Sequence, residues 1–312
     1  MDIIKARVQV PAASQPMEGS SYMRKLFTSA MVATTLTVGI MAATWFMQPA
    51  SGQAPARYRA PRAHDGKPDL NGIWQAVNTA NYDLQTHMAR PAMAMRPGPQ
   101  GPVPAAKVLS FGAVGAVPGG MGVVVGEEIP YKPEALAKKR QNQENWLDLD
   151  PEIKCSQPGV PRATYMPFPF QIFQSNSALF FAYEYAGAVR NIYLKDPGPA
   201  PIPTWMGQSY GKWEGDTLVV EVTGFNDLSW FDRSGNHHSE DLKVTERYTR
   251  VAPDHIQYEA TIEDPVVFTR PWTIRMPLYR RLELNMQLSE FRCVEFVEEL
   301  LFGEWRKNPL PR

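Results

Sequence analysis

The densest group of polar side chains that could do chemistry lies in residues 225–241, with the sequence FNDLSWFDRSGNHHSED. It brings His238 close in sequence to Glu240 and Asp232. An imidazole beside a carboxylate can act as a base near neutral pH, because the carboxylate orients the ring and stabilises its cation. These three residues are the candidate catalytic group. The alternative is a polar connection between two strands, which needs the same residue types for its turns.

A second group combines charges with aromatic side chains on predicted strands. Arg190 interrupts a strand that is otherwise nearly uncharged, and Glu246 alternates with Val244 and Tyr248. A carboxylate on an apolar face needs a cation, because an unpaired interior charge is costly. We predict that Glu246 pairs with Arg190, with Arg162 as the other possible partner.

This charged group has two interpretations, a structural ion pair or the polar end of a ligand cavity with aromatic walls. In the second interpretation the candidate ligand-binding residues are Arg162, Tyr165, Tyr183, Arg190, Trp205, Trp230, Glu246 and Trp272. Trp74 and Trp213 are further candidate wall residues. Each of these tryptophans also fits a plain core.

Other kinds of chemistry are not indicated. Cys155 and Cys293 lie far apart in the sequence and predict a disulfide in an oxidising compartment, since a metal site needs further ligands at short spacing. The chain lacks His-x-His and His-Glu-x-x-His spacings, a dinucleotide fingerprint, a Walker loop and a Gly-x-Ser-x-Gly elbow. We therefore predict no metal, no nucleotide cofactor and no catalytic triad.

The elements that must position these residues are short strands. A first strand is predicted at 69–76, and residues from Pro167 onward predict strands at 171–174, 179–185, 189–194, 209–213, 218–225, 242–251, 255–262, 272–278 and 288–296. Residues 78–127, rich in Pro, Gly, Ala and Met, predict a covering insertion, and 133–147 predict one helix beginning at a proline. Sequential hairpins without intervening helices favour a barrel or sandwich. We predict a mainly β protein, an antiparallel β-barrel of about ten strands.

The N-terminal residues predict export. Met23, Arg24 and Lys25 form a short positive region, residues 26–47 are almost uncharged, and small residues follow at 49–52. This pattern is typical of a secretory signal, here with an extension at its start, over residues 1–52. The alternative is a retained membrane anchor, because the apolar run reaches the about 20 residues that span a bilayer. A linker at 53–68 and a single domain at 69–312 would follow, in a periplasmic or secreted protein.

Charge limits the possible partners. The 32 Lys and Arg residues balance the 32 Asp and Glu residues, so no net field favours nucleic acid or an anionic membrane surface. Contact with a membrane is expected only if the N-terminal segment is retained. The 44% hydrophobic content suffices for a sizeable core.

Several sequence blocks resemble a large family of exported bacterial proteins of unknown function. They are DGKPDLNGIW, DPEIKCSQPGVPRATYMPFPFQIFQ, YEYAGAVRNIYL, GQSYGKWEGDTLVVEVTGFND, HSEDLKVTERYTR and IEDPVVFTRPWTI. The resemblance implies export and one β-rich domain. The Gly-x-Trp at Gly72 to Trp74 also resembles the motif that opens the first lipocalin strand. Lipocalin-like ligand binding is an analogy of architecture, because the predicted extra strands and the long insertion depart from lipocalins.

Two functions remain open from the sequence. The first is binding of a small apolar or aromatic molecule inside the barrel, favoured by the tyrosine and tryptophan faces. The second is an enzyme acting on such a molecule by acid–base chemistry, an isomerase, hydratase or hydrolase, with His238 facing the cavity. A purely structural envelope protein would instead have a filled core.

Overall fold

The computed structural model describes residues 58–91, 95–96, 99–100, 103–104 and 116–294. The chain divides into two units, Met1–Arg57 and Tyr58–Arg312, and the first lies outside the described residues. The predicted signal at 1–52 and the start of the predicted linker therefore lie outside them too. None of the helices in the described ranges is both long and apolar enough to cross a membrane.

Nine of the described strands form a closed barrel. All the described strands, in chain order, are β1 Gly72–Ala76, β2 Arg90–Pro91, β3 Met95–Arg96, β4 Val103–Pro104, β5 Ala116–Val117, β6 Phe170–Gln174, β7 Ala178–Tyr183, β8 Val189–Tyr193, β9 Gln208–Glu214, β10 Thr217–Thr223, β11 Lys243–Ala252, β12 His255–Glu263 and β13 Trp272–Arg280. Strands β2 and β5 form one small separate sheet, and β3 and β4 form another. The order around the barrel is β1-β13-β12-β11-β10-β9-β8-β7-β6, and β6 pairs with β1 again. The predicted mainly β barrel is confirmed.

One pair of barrel strands is parallel, where the sequence predicted antiparallel pairing throughout. Around a closed ring with an odd number of strands, neighbours cannot alternate in direction at every step, so at least one pair must be parallel. That pair is β8 with β9, and only Ile192 with Ser209 and Tyr193 with Tyr210 are in register. The other neighbouring pairs of the barrel are antiparallel.

The predicted last strand, 288–296, is wrong over its described part, because residues 288–294 form no strand. The barrel has no open edge left for a further strand, since β13 already pairs with β1. The segment packs against one end of the barrel instead. The Ser289 backbone N–H donates to Glu184 Oε2 at 2.8 Å, and the Phe291 ring contacts Phe168 and Tyr185.

The predicted helix at 133–147 is shorter in the structure. The helix α1 spans Pro133–Glu144, and Asn145, with φ −118° and ψ 27°, separates it from the four-residue α2, Trp146–Leu149. A further short helix, α3, spans Arg162–Tyr165. Single 3-10 turns lie at Pro151–Lys154 and Tyr185–Gly187.

The predicted disulfide between Cys155 and Cys293 is confirmed, with 5.7 Å between the two Cα atoms and a sequence separation of 138. It attaches the segment after the barrel to the turn that precedes α3. A covalent link that closes so long a loop restricts the unfolded chain and thereby stabilises the fold.

Strand β1 and the predicted insertion both contribute side chains to the buried core. Trp74 of β1 is fully buried, with the guanidinium groups of Arg250 and Arg280 at 5.8 and 5.9 Å from its ring centroid. Leu84 and Val124, from the predicted insertion, belong to the hydrophobic core. Leu84 and Val124 of the insertion therefore pack on the core, whereas Met88 and Met121 are exposed.

Candidate functional site

The candidate site lies inside the barrel, where strand alternation brings two charged side chains together. On β11, Val244, Glu246 and Tyr248 are all fully buried. On β8, Arg190 and Ile192 point inward while their neighbours are exposed. Arg190 Nη2 donates to Glu246 Oε2 in a short contact, so the predicted pair is formed.

Hydroxyl groups complete the partners of the carboxylate. Tyr248 and Tyr258 both donate to Glu246 Oε1, at 2.9 and 2.7 Å. Burial raises the pKa of both tyrosines well above the usual value, with the charge of Glu246 adding to the effect. Both hydroxyls therefore stay protonated and keep donating to Glu246.

The guanidinium of Arg190 is only partly used by the protein. Its Nε donates to Ser209 Oγ at 2.7 Å and its Nη2 to Glu246, but its Nη1 has no hydrogen-bond partner among the described residues. The Tyr183 hydroxyl and Thr164 Oγ1 are likewise buried without a partner in the described part of the chain. A buried polar group without a partner is costly, and such groups are uncommon in folded proteins.

These three unpaired groups are close to one another. Burial raises the pKa of Tyr183, and the charge of Arg190 lowers it. Weaker polar contacts of the hydroxyl with Arg190 and Thr164 lower it further, although both contacts fall outside the distance and angle limits of a hydrogen bond. Thr164 also lowers the pKa of Tyr248. Three groups able to donate therefore lie close together beside the Arg190–Glu246 pair. We name Arg190, Tyr183 and Thr164 the open donor group.

A cleft of about 220 Å³ reaches the barrel wall next to Arg190. The cleft lies beside the start of the short pairing between β8 and β9. The first residues in register there are Ile192 and Ser209, and Arg190 comes two residues earlier on β8. Arg190 and Ser209 are among its lining residues, together with the outward-facing Val189, Asn191 and Tyr193 of β8. The connection before β9 adds Ala200, Ile202 and Met206. Of the open donor group, only Arg190 lines the cleft, whose walls combine apolar and polar side chains.

Arg162 and Tyr165, which the sequence grouped with this site, belong to other networks. Arg162 Nη1 and Nη2 donate to the two carboxylate oxygens of Asp150, at 3.0 and 3.1 Å, and Nη2 also donates to Glu152 Oε2 at 2.7 Å. Its Nε donates to Asn81 Oδ1 at 2.8 Å. The Tyr165 hydroxyl donates to the Phe231 carbonyl at 2.9 Å. Every nitrogen of the Arg162 guanidinium thus has a protein partner.

The tryptophans predicted as cavity walls lie elsewhere. The Trp272 ring stands edge-on to Phe231 and Phe268, with centroids at 5.8 and 5.3 Å. Trp230 forms an isolated bridge with His237, and Trp205 packs partly buried against the core. Of the three, only Trp272 lies on a predicted strand, and a strand pattern does not distinguish one end of the barrel from the other.

His238 is not bonded to either of the carboxylates that the sequence offered. Its Nε2 lies 2.7 Å from Ser229 Oγ and its Nδ1 lies 2.9 Å from the Ser239 carbonyl. Because a carbonyl only accepts, Nδ1 carries the proton and Nε2 accepts from the Ser229 hydroxyl. Burial lowers the pKa of His238 and favours this neutral ring. Glu240 is exposed and forms no part of the arrangement.

Asp232 is buried in a separate network that ties the 225–241 segment to the insertion. It accepts hydrogen bonds from the backbone N–H groups of Leu84 and Ser234, at 2.8 and 2.9 Å, and from the Asn236 side chain. Burial and the nearby Asp83 raise its pKa to about 7. A carboxyl that titrates near neutral pH can exchange protons, but in this structure it contacts loop backbone rather than the imidazole.

The residues that the sequence reasoning missed are Thr164, Ser209, Tyr248 and Tyr258. Tyr248 carried a usable signal, because it shares the inward face of β11 with Glu246, and Tyr258 pairs directly across from it. No group of three or more His, Cys, Asp or Glu side chains that could hold a metal ion occurs among the described residues.

Comparison with protein-family models, with curated proteins and with solved structures finds no match for this chain. The resemblance to a family of exported bacterial proteins therefore stays a prediction.

Proposed function

We propose that this chain is an exported protein that binds a small molecule with an apolar or aromatic body, and that Arg190 holds the polar end of that molecule. The observation that carries the proposal is the open donor group. Arg190 Nη1, the Tyr183 hydroxyl and Thr164 Oγ1 are buried beside one another without a partner among the described residues. A bound acceptor would offset the cost of leaving them unpaired.

The cleft between β8 and β9 supports an apolar body for the ligand. Ala200, Ile202 and Met206 offer apolar contacts directly beside Arg190 and Ser209. Small-molecule sites commonly combine mostly apolar walls with a few polar groups that orient the ligand.

Export is supported by two observations. The Cys155–Cys293 disulfide is of the kind that persists in oxidising compartments. The signal-like residues 23–52 precede the barrel. A periplasmic or secreted protein is the proposed location.

Native mass spectrometry of the protein isolated from its producing cells tests the binding proposal. We expect a retained small molecule on the wild-type protein and a smaller retained fraction on Tyr183→Phe. The matched control is Tyr279→Phe, which removes the hydroxyl of an exposed tyrosine outside the open donor group. This variant should retain as much of the small molecule as the wild type. A wild-type protein that carries no molecule, even after incubation with an extract of its own cells, would contradict the proposal.

A second candidate function is an acid–base enzyme, and one observation favours it. Asp232 is buried and its pKa is raised to about 7, which suits a general acid or base. Incubation of the retained molecule with wild type and with Asp232→Asn, followed by mass analysis of the small molecule, tests this function. A chemical change that only the wild type produces would favour the enzyme, and an unchanged molecule would favour the binder.

A further inference from the structure

We propose that the group which Arg190 receives is an uncharged carbonyl, such as that of a primary amide or a ketone, and not a carboxylate. The inference rests on the proposed function and names the chemical class of its ligand. It follows from the charges already present at the site.

The charge of Arg190 is already balanced. Its Nη2 is paired with Glu246, whose carboxylate is fully buried. Tyr248 and Tyr258 donate to the same carboxylate without adding charge. The Arg190–Glu246 cluster is therefore neutral as a whole.

No other buried cation is free to balance an added anion among the described residues. Arg162 is paired with Asp150 and Glu152, and Arg250 is paired with the carboxylate of Asp69 at 3.7 Å. A carboxylate ligand would thus leave a net negative charge inside the barrel, next to Glu246. Burying an uncompensated charge costs far more than a missing hydrogen bond.

An uncharged carbonyl matches the hydrogen-bonding inventory of the open donor group. A carbonyl oxygen has two lone pairs, which can accept from Arg190 Nη1 and from the Tyr183 hydroxyl. Thr164 Oγ1 can donate or accept, so it can also receive an amide N–H. With a primary amide all three unpaired groups gain partners, with a ketone Arg190 and Tyr183 do, and in both cases the total charge stays zero.

The test uses two probes of nearly the same shape, benzamide and benzoate, titrated by calorimetry into the wild-type protein at neutral pH. We expect benzamide to bind about tenfold more tightly or better, because bound benzoate would add an unbalanced negative charge beside Glu246. A factor of ten corresponds to about 1.4 kcal/mol of binding free energy. Glu246→Gln removes the balancing charge and leaves Arg190 free to pair with an anion. In this variant we expect the preference to reverse in favour of benzoate.

Each outcome decides a different claim. A wild-type preference for benzoate would overturn the uncharged-carbonyl inference and leave the binding proposal standing. Binding of neither probe would also overturn the inference, while the retained-molecule experiment decides the binding proposal separately. If Glu246→Gln does not fold, Tyr183→Phe provides the second measurement, because it changes no charge. It should weaken benzamide about tenfold, and unchanged benzamide affinity would overturn the inference.

Discussion

Two buried arginines of this protein are paired with carboxylates in different ways. Arg162, 1% exposed, donates from all three of its nitrogens, to Asp150, Glu152 and Asn81. Arg190, 3% exposed, donates from Nε and Nη2 only. Both satisfy the electrostatic requirement for a buried ion pair, but only Arg162 has a hydrogen-bond partner at each of its three nitrogens.

The difference separates a structural element from a candidate site. The Arg162 network joins α3, the turn at Pro151–Lys154 and the insertion, which are parts of the chain that need fastening to the barrel. The Arg190 pair already lies on two barrel strands that the backbone ladder holds in place. Its unused donor is the basis of the proposed ligand site.

The largest expected effect is on stability and follows removal of Arg162. Arg162→Met leaves the Asp150 carboxylate buried without its cation and removes one of the two arginines that pair with Glu152, so the free energy of unfolding should fall by about 3 to 5 kcal/mol. Urea unfolding measures this. Arg247→Met, which breaks an exposed pair with Glu214, is the matched control and should change stability little. An equal effect of both variants would remove the contrast between buried and exposed pairs.

The next effect is a pH dependence that originates in the same network. Burial alone would raise the pKa of Glu152, but Arg233 and Arg162 outweigh it and lower the pKa from 4.5 to about 2. A lowered folded-state pKa stabilises the fold above pH 4.5, and this contribution is lost as the pH falls toward 2. The loss should be on the order of 3 kcal/mol in the wild type. The free energy of unfolding, measured in urea between pH 6 and pH 2, should depend less on pH in Glu152→Gln than in the wild type. An equal pH dependence in the two proteins would refute the assignment of this effect to Glu152.

A smaller loss of stability is expected when a hydroxyl that donates to Glu246 is removed. Tyr258→Phe removes one of the two hydroxyls that donate to buried Glu246, and a hydrogen bond to a charged group contributes about 1.5 to 3 kcal/mol. We expect thermal and urea unfolding to report a loss within that range. A loss below 0.5 kcal/mol would mean that Glu246 does not depend on Tyr258, by the usual scatter of surface substitutions.

The smallest effect on stability is expected when a hydroxyl of the open donor group is removed. Tyr183→Phe removes a buried hydroxyl that has no partner among the described residues, so ligand-free protein should be as stable as wild type or slightly more stable. Comparison of its urea midpoint with that of Tyr258→Phe uses two buried tyrosines changed in the same way. Equal destabilisation by the two variants would show that Tyr183 is bonded within the protein.

Alternation along the strands made part of this arrangement predictable. Because side chains of a strand alternate between faces, Glu246 had to lie with Val244 and Tyr248 inside the barrel, and Arg190 was the cation of a nearly uncharged strand. The cysteine pair likewise followed from its isolation in the sequence. These predictions use local pattern and elementary charge balance.

The rest depended on contacts that no local pattern encodes. Asn81, which completes Arg162, lies 81 residues away in a stretch with no periodicity. The sequence predicted a strand at 288–296, but the closed ring offers no edge to its described part, 288–294. Sequence neighbours suggested a carboxylate for His238, whereas the folded loop gives it Ser229.

The most direct test of the difference between Arg162 and Arg190 is a high-resolution crystal structure of protein isolated from its producing cells. We predict electron density for a small molecule within hydrogen-bond distance of Arg190 Nη1, the Tyr183 hydroxyl and Thr164 Oγ1, with its body in the cleft between β8 and β9. No such density is expected at Arg162. Density for ordered water alone at Arg190, in protein crystallised without added ligands, would contradict the assignment of this cluster as the binding site.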